Sequence, residues 1–89
     1  MRVRAGIGLM PTSLAQLPIG SRARIVSIEG TDSTSSWLLE MGLTPGQSIA
    51  FVRTALLGDP LEVEVRGYRL SLRKTEASRV IVEPESASS

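Results

Sequence analysis

Cysteine and histidine are both missing from this 89-residue chain. Without cysteine there is no disulfide framework, no thiolate zinc site and no thiol nucleophile. Without histidine the commonest general base and the commonest transition-metal ligand are both gone. Aromatic residues are scarce, one Trp, one Tyr and one Phe, which leaves little for a base-stacking platform or an aromatic-lined peptide groove. Acidic residues are absent from positions 1–24, which carry Arg2, Arg4, Arg22 and Arg24. The rest of the chain compensates, and the net charge is only +1. That balance gives no electrostatic footprint of nucleic-acid binding, and none is expected. The basic start is compatible with peripheral contact with an anionic membrane surface. Its plainer reading, which is preferred, is a flexible leader followed by two strand-edge arginines.

Long apolar runs are also lacking. The uncharged stretch 5–21 is broken by Gly6, Gly8, Pro11, Pro18 and Gly20, short of the roughly 20 apolar residues that span a bilayer. Its apolar part, Ala5–Met10, is shorter than the roughly 7–15 residues of a signal-peptide core. Met10 offers an alternative start, and a cytoplasmic location is expected. No Gly-rich loop ending in Lys-Ser or Lys-Thr is present to cradle phosphates, and no base is at hand to activate a serine. The chain is therefore read as non-enzymatic and without a cofactor. Ferrous iron favours histidine with carboxylate, and Glu62 with Glu64 on one strand face are too few to cage a cation, so no metal site is assigned.

What is present is a chain with 42% hydrophobic residues, enough for one small folded domain. Thr12-Ser13 reads as the cap of a single helical turn at Leu14–Leu17, closed by Pro18-Ile19-Gly20. Residues 23–29 and 47–55 read as β-branched strands. Between them, 31–36 is a polar loop with several candidate N-caps, and Trp37, Leu38 and Met41 sit at helical spacing. Gly42 is placed to end that helix as a left-handed cap, and Pro45-Gly46 signals a type II turn. Leu61, Val63 and Val65 alternate with charges, as do Leu70 and Leu72. Gly67-Tyr68 between the two runs predicts a two-residue type II′ turn, with Val65 opposite Leu70, Val63 opposite Leu72 and Glu62 opposite Arg73. A short turn at 75–78 leads into a last strand, 79–83. The pattern predicts a mainly β fold, a small curved barrel of about five strands with one or two short helices. Residues 1–11 are expected to be a flexible extension, 12–83 the domain and 84–89 a disordered tail.

These motifs resemble one family. The string Leu14-x-x-Leu17-x-x-Gly20, then Ala23-Arg24-Ile25, then Leu38-Leu39-Glu40-Met41-Gly42-Leu43-Thr44-Pro45-Gly46 is similar to the FeoA family. So is Leu57-Gly58-Asp59-Pro60 followed by Val65-Arg66-Gly67-Tyr68-Arg69-Leu70-Ser71-Leu72-Arg73-Lys74-x-Glu76-Ala77. The resemblance implies an SH3-like β-barrel with a helical insertion, matching the strand pattern reached independently. It implies a small cytoplasmic accessory protein of ferrous iron uptake, acting on a FeoB-type membrane transporter whose cytoplasmic part carries a GTP-binding domain. One departure stands out. The family's helix begins with basic residues before the Leu pair, where this chain has Ser35-Ser36-Trp37.

Candidate partner-binding residues follow. Trp37 is of the type that anchors interfaces, although a tryptophan lying over the barrel mouth as core is an equal reading. Leu39 and Met41 face different sides of one helix, which leaves one of them free to be exposed. Leu56 and Leu57 read either as a plug for the barrel end or as an exposed apolar patch. Arg73 and Lys74, with Arg66 and Arg69, suit an acidic partner, against the preferred reading of an ordinary solvated sheet face. The leading functional reading is a protein-interaction module for a FeoB-type transporter. The alternatives are a regulatory SH3-like domain like those at the C-terminus of iron-dependent repressors, and an RNA-binding small barrel.

Overall fold

A computed structural model describes residues 10–85. Six strands form one antiparallel sheet: β1 (Thr12–Ser13), β2 (Arg22–Ile28), β3 (Ser48–Thr54), β4 (Leu61–Val65), β5 (Tyr68–Leu72) and β6 (Val80–Pro84), in the order β1-β6-β2-β3-β4-β5. The sixth strand beyond the expected five is the two-residue β1. Thr12-Ser13 pairs with Val82 and Ile81 instead of capping a helix, and the turn it precedes, Leu14–Gln16, is a 3-10 turn without a side-chain cap. Helix α1 spans Ser33–Glu40 and α2 spans Lys74–Ala77. The polar stretch read as loop is thus already helical from Ser33, with Asp32 as its cap.

The sheet has to roll. Seven residues, 73–79, four of them wound into a helical turn, join β5 to β6. Yet in a flat sheet they would have to cross four spacings, roughly 19 Å, and also run back the length of a strand, because β5 and β6 point the same way. Register shifts at Ile25/Ser27 in β2–β6 and at Phe51/Arg53 in β3–β4 supply the bend, since a bulge kinks its strand and increases local twist. The concave face closes over Leu14, Ile25, Leu38, Leu43, Ile49 and Val63, all essentially inaccessible to water. Burial of each such side chain stabilises the fold by about 1.5–3 kcal/mol.

The β4–β5 hairpin differs from its expected form. Arg66 (φ 56°) and Gly67 (φ 87°) occupy the turn, so both central residues are left-handed and the turn has the dihedral signs of type I′, not II′. Val65 then faces Tyr68, Val63 faces Leu70, Leu61 faces Leu72, and Glu62 faces Ser71 in place of Arg73. Moving the turn by one residue moves the pairing by two, so the apolar row stays inside. The compensation for a left-handed arginine is a ladder that takes in Tyr68, whose hydroxyl donates to the Met41 carbonyl. At the other end of the chain, Pro84 completes β6 and the Glu85 N–H donates to the Arg22 carbonyl at 3.0 Å, so the chain is still held where the tail was expected to begin. The rest of the expected tail and positions 1–9 of the expected extension lie outside the described residues.

Candidate docking surface

Helix α1 is fixed at both ends. At its start Asp32 Oδ1 accepts the Ser35 N–H at 3.2 Å, and the same carboxylate meets the Arg79 guanidinium at 2.6 and 2.8 Å. That bidentate pair, helped by the Ser35 N–H, holds the Asp32 carboxyl down at about 2. At its end Gly42 (φ 102°) donates to the Leu39 carbonyl and Leu43 to the Leu38 carbonyl, the two bonds of a Schellman motif. Leu38 and Leu43, the pair that motif brings together, are both fully buried. With the helix held this way, Leu38 points into the core and Trp37 lies half-buried against its rim.

Trp37 forms one wall of a groove of about 500 Å³, completed by Asp59, Pro60, Ser71, Arg73 and Glu76. A second depression of about 310 Å³, lined by Ser33, Thr34, Trp37 and Glu76, adjoins it across the indole. The groove is built by helix-end chemistry. Helix α2 is a single turn, too short to satisfy its own first amides. Glu76 Oε1 accepts the Arg73 N–H at 2.8 Å, and Asp59 Oδ1 accepts the Lys74 N–H at 2.9 Å. The second bond ties the β3–β4 loop to α2 and so brings Asp59-Pro60 opposite Trp37.

The candidate partner-binding residues divide into three groups. Trp37 and Arg73 line the groove, and Lys74, outside its lining, is tied to the lining residue Asp59 through its backbone N–H. Arg73 and Lys74 are exposed and have no ion-pair partner among the described residues. Leu56 and Leu57 are 89% and 100% exposed on the same loop as Asp59, so the plug reading of this pair is overturned. Leu39 is exposed but does not line the groove, and Met41 is half-buried against the core. Glu62, considered for a cation, is engaged by Arg53 at 2.5 Å and Arg69 at 3.7 Å, which hold its carboxyl below the usual range. Among the described residues no group of three or more Asp and Glu side chains comes together as a metal cluster, and no helix is long and apolar enough to cross a membrane.

Sequence reading missed Asp59, Pro60, Ser71 and Glu76 as groove residues. For Glu76 a signal was present: a carboxylate three residues after a helix start reaches back to the capping amide. Asp59 carried none, since its partner is fifteen residues away.

Comparison with known proteins places this geometry. The FeoA domain model matches residues 12–84. An Fe(2+) transport protein A/Fe(2+) transporter FeoB fusion protein of Porphyromonas gingivalis is 37% identical over 70 residues, covering 79% of this chain and 8% of that protein. The chain thus spans a small fraction of that relative's length. A FeoA-like protein from Clostridium acetobutylicum superposes with a TM-score of 0.80 at 32% identity, covering 85% of this chain and 88% of that one. The FeoA of Stenotrophomonas maltophilia, a prokaryotic SH3 domain protein, gives a TM-score of 0.73 at 31% identity, covering 83% and 95%.

Proposed function

This chain belongs to the FeoA family, an SH3-like family accessory to ferrous iron transport, and on that premise we propose that it binds and modulates the cytoplasmic part of a FeoB-type membrane transporter. It does so by contact, as a non-enzymatic module at the cytoplasmic face of the membrane, with the transporter's GTP-binding domain as the region it engages. The observation that carries this reading is the fused relative, in which a domain similar to this chain is covalently continuous with a FeoB transporter. A covalent link holds two surfaces at millimolar effective concentration, so a fused domain needs little affinity of its own. A separate chain needs a surface that supplies the affinity.

The groove beside Trp37 is that surface. It joins an aromatic wall and a proline to Arg73, a cation without an ion-pair partner among the described residues, a combination of anchor and charge that suits a protein partner. Leu39 on α1 and Met41 at its C-terminal cap are secondary candidates. The test is capture of the detergent-solubilised transporter by the purified chain. Trp37→Ala and Arg73→Glu are each expected to weaken capture at least tenfold while thermal unfolding stays cooperative, as removal of an interface anchor does. Undiminished capture by both folded variants would reject the groove; no capture by the unaltered chain would reject the transporter as partner.

A further inference from the structure

Single exposed leucines are ordinary on protein surfaces. Leu56 and Leu57 are not single. They are consecutive, almost wholly in water, and they sit at the tip of a loop that is internally fastened. The Ala55 N–H donates to the Pro60 carbonyl at 3.0 Å, the Gly58 N–H to the Ala55 carbonyl at 3.1 Å, and Asp59 is anchored on α2. Leu57 has φ 65°, a left-handed conformation that L side chains adopt reluctantly. The loop is therefore a firm protrusion with an apolar tip. Beside it stand Arg73 and Lys74, exposed and without ion-pair partners among the described residues. Asp59 and Glu76, the carboxylates that line the groove with Arg73, accept the backbone amides of Lys74 and Arg73.

From this arrangement we infer that the Leu56–Leu57 loop is a membrane-contact element for an anionic bilayer. The two leucines enter the boundary between headgroups and acyl chains, and Arg73 and Lys74 engage the negative headgroups. A bilayer fits better than a second protein. A convex tip of two side chains needs no shape-matched socket in lipid, and the exposed Arg73 and Lys74 beside it complement an anionic surface directly. The concave part of this face is the Trp37 groove, which remains for the protein partner. Two leucines and two cations give weak partition, sufficient for a domain already held near a membrane. The inference stands apart from the transporter reading, because its probe is lipid alone.

The experiment is flotation of the full chain with vesicles of phosphatidylglycerol and phosphatidylcholine, at millimolar lipid and low salt. The expected result is association with these vesicles, little with pure phosphatidylcholine, and release at about 0.5 M salt. The double variant Leu56→Ser/Leu57→Asn should lower the bound fraction about tenfold by removing apolar area. It should still fold, because asparagine accepts the left-handed region, and thermal unfolding checks this. Arg73→Gln/Lys74→Gln should lower binding several-fold. No binding to anionic vesicles, or binding unchanged in the folded leucine variant, overturns the inference. A leucine variant that loses capture of the solubilised transporter but keeps vesicle binding overturns it too, by assigning the tip to a protein socket.

Discussion

The two ends of β4 carry the same local device and use it for opposite ends. Before the strand, Leu57 and Gly58 are both left-handed; after it, Arg66 and Gly67 are both left-handed. At the second site the tight turn folds β5 back so that Tyr68 reaches the last turn of α1 and donates to Met41, next to the Schellman closure. That end is sealed, with Leu38 and Leu43 fully buried. At the first site the same backbone signs direct two leucines into water and set Asp59 against α2. A residue-glycine pair at positive φ therefore specifies a reversal of the chain but not its purpose. What the reversal encloses depends on what the fold brings opposite.

The contrast can be broken most forcefully at the sealed end. Leu43→Ala removes a fully buried side chain from the closure and should cost about 2–5 kcal/mol, read from denaturant midpoints at constant m-value. Gly42→Ala comes next. Its Cβ would stand 2.7 Å from the Tyr68 hydroxyl at φ 102°, with an expected loss of about 1–2 kcal/mol from the left-handed backbone alone. Tyr68→Phe in that background should recover the part due to the clash and leave the backbone part. At the open end, Asp59→Ala frees the Lys74 amide and should cost about 1 kcal/mol, the usual value of a helix cap. The smallest effects sharpen the comparison most. Arg66→Asn and Leu57→Asn each ease a left-handed residue and should leave stability equal or higher by about 0.5 kcal/mol in thermal unfolding. Equal gains would confirm that the two turns hold the same kind of backbone strain. A clear loss for Leu57→Asn would show that its side chain is packed after all.

Much of the core was legible from alternation. Leu61, Val63 and Val65 were read as alternating with charges, and all three are buried. Gly42 as the left-handed end of α1 and Pro45-Gly46 as a turn were read from local chemistry, and Gly42 and Gly46 both have positive φ. The hairpin register was not, because Gly67 satisfies either a II′ turn at 67–68 or a I′ turn at 66–67. Only the gain of the Tyr68 contact across the fold separates them. Asp32 was one of several capping candidates, and it takes that place while also meeting Arg79, 47 residues away. The candidate site was legible in part: Trp37 and Arg73 were named, whereas Asp59, Pro60, Ser71 and Glu76, which complete the groove, were not.

By itself the sequence determined what this protein has no means to do through thiol or imidazole chemistry. It determined a single small β domain and a set of motifs, similar to FeoA, that span nearly all of that domain. Those properties live in composition and in spacings of two to four residues, which neighbouring positions fix without help from the rest of the chain. Only the tertiary structure decided that Leu56 and Leu57 face water, that Arg73 and Lys74 lack ion-pair partners among the described residues, and that Trp37 borders a groove. Each depends on residues from α1, the β3–β4 loop and α2 meeting in space. That meeting rests on the rolled sheet and on a carboxylate at Asp59 finding an amide fifteen residues away.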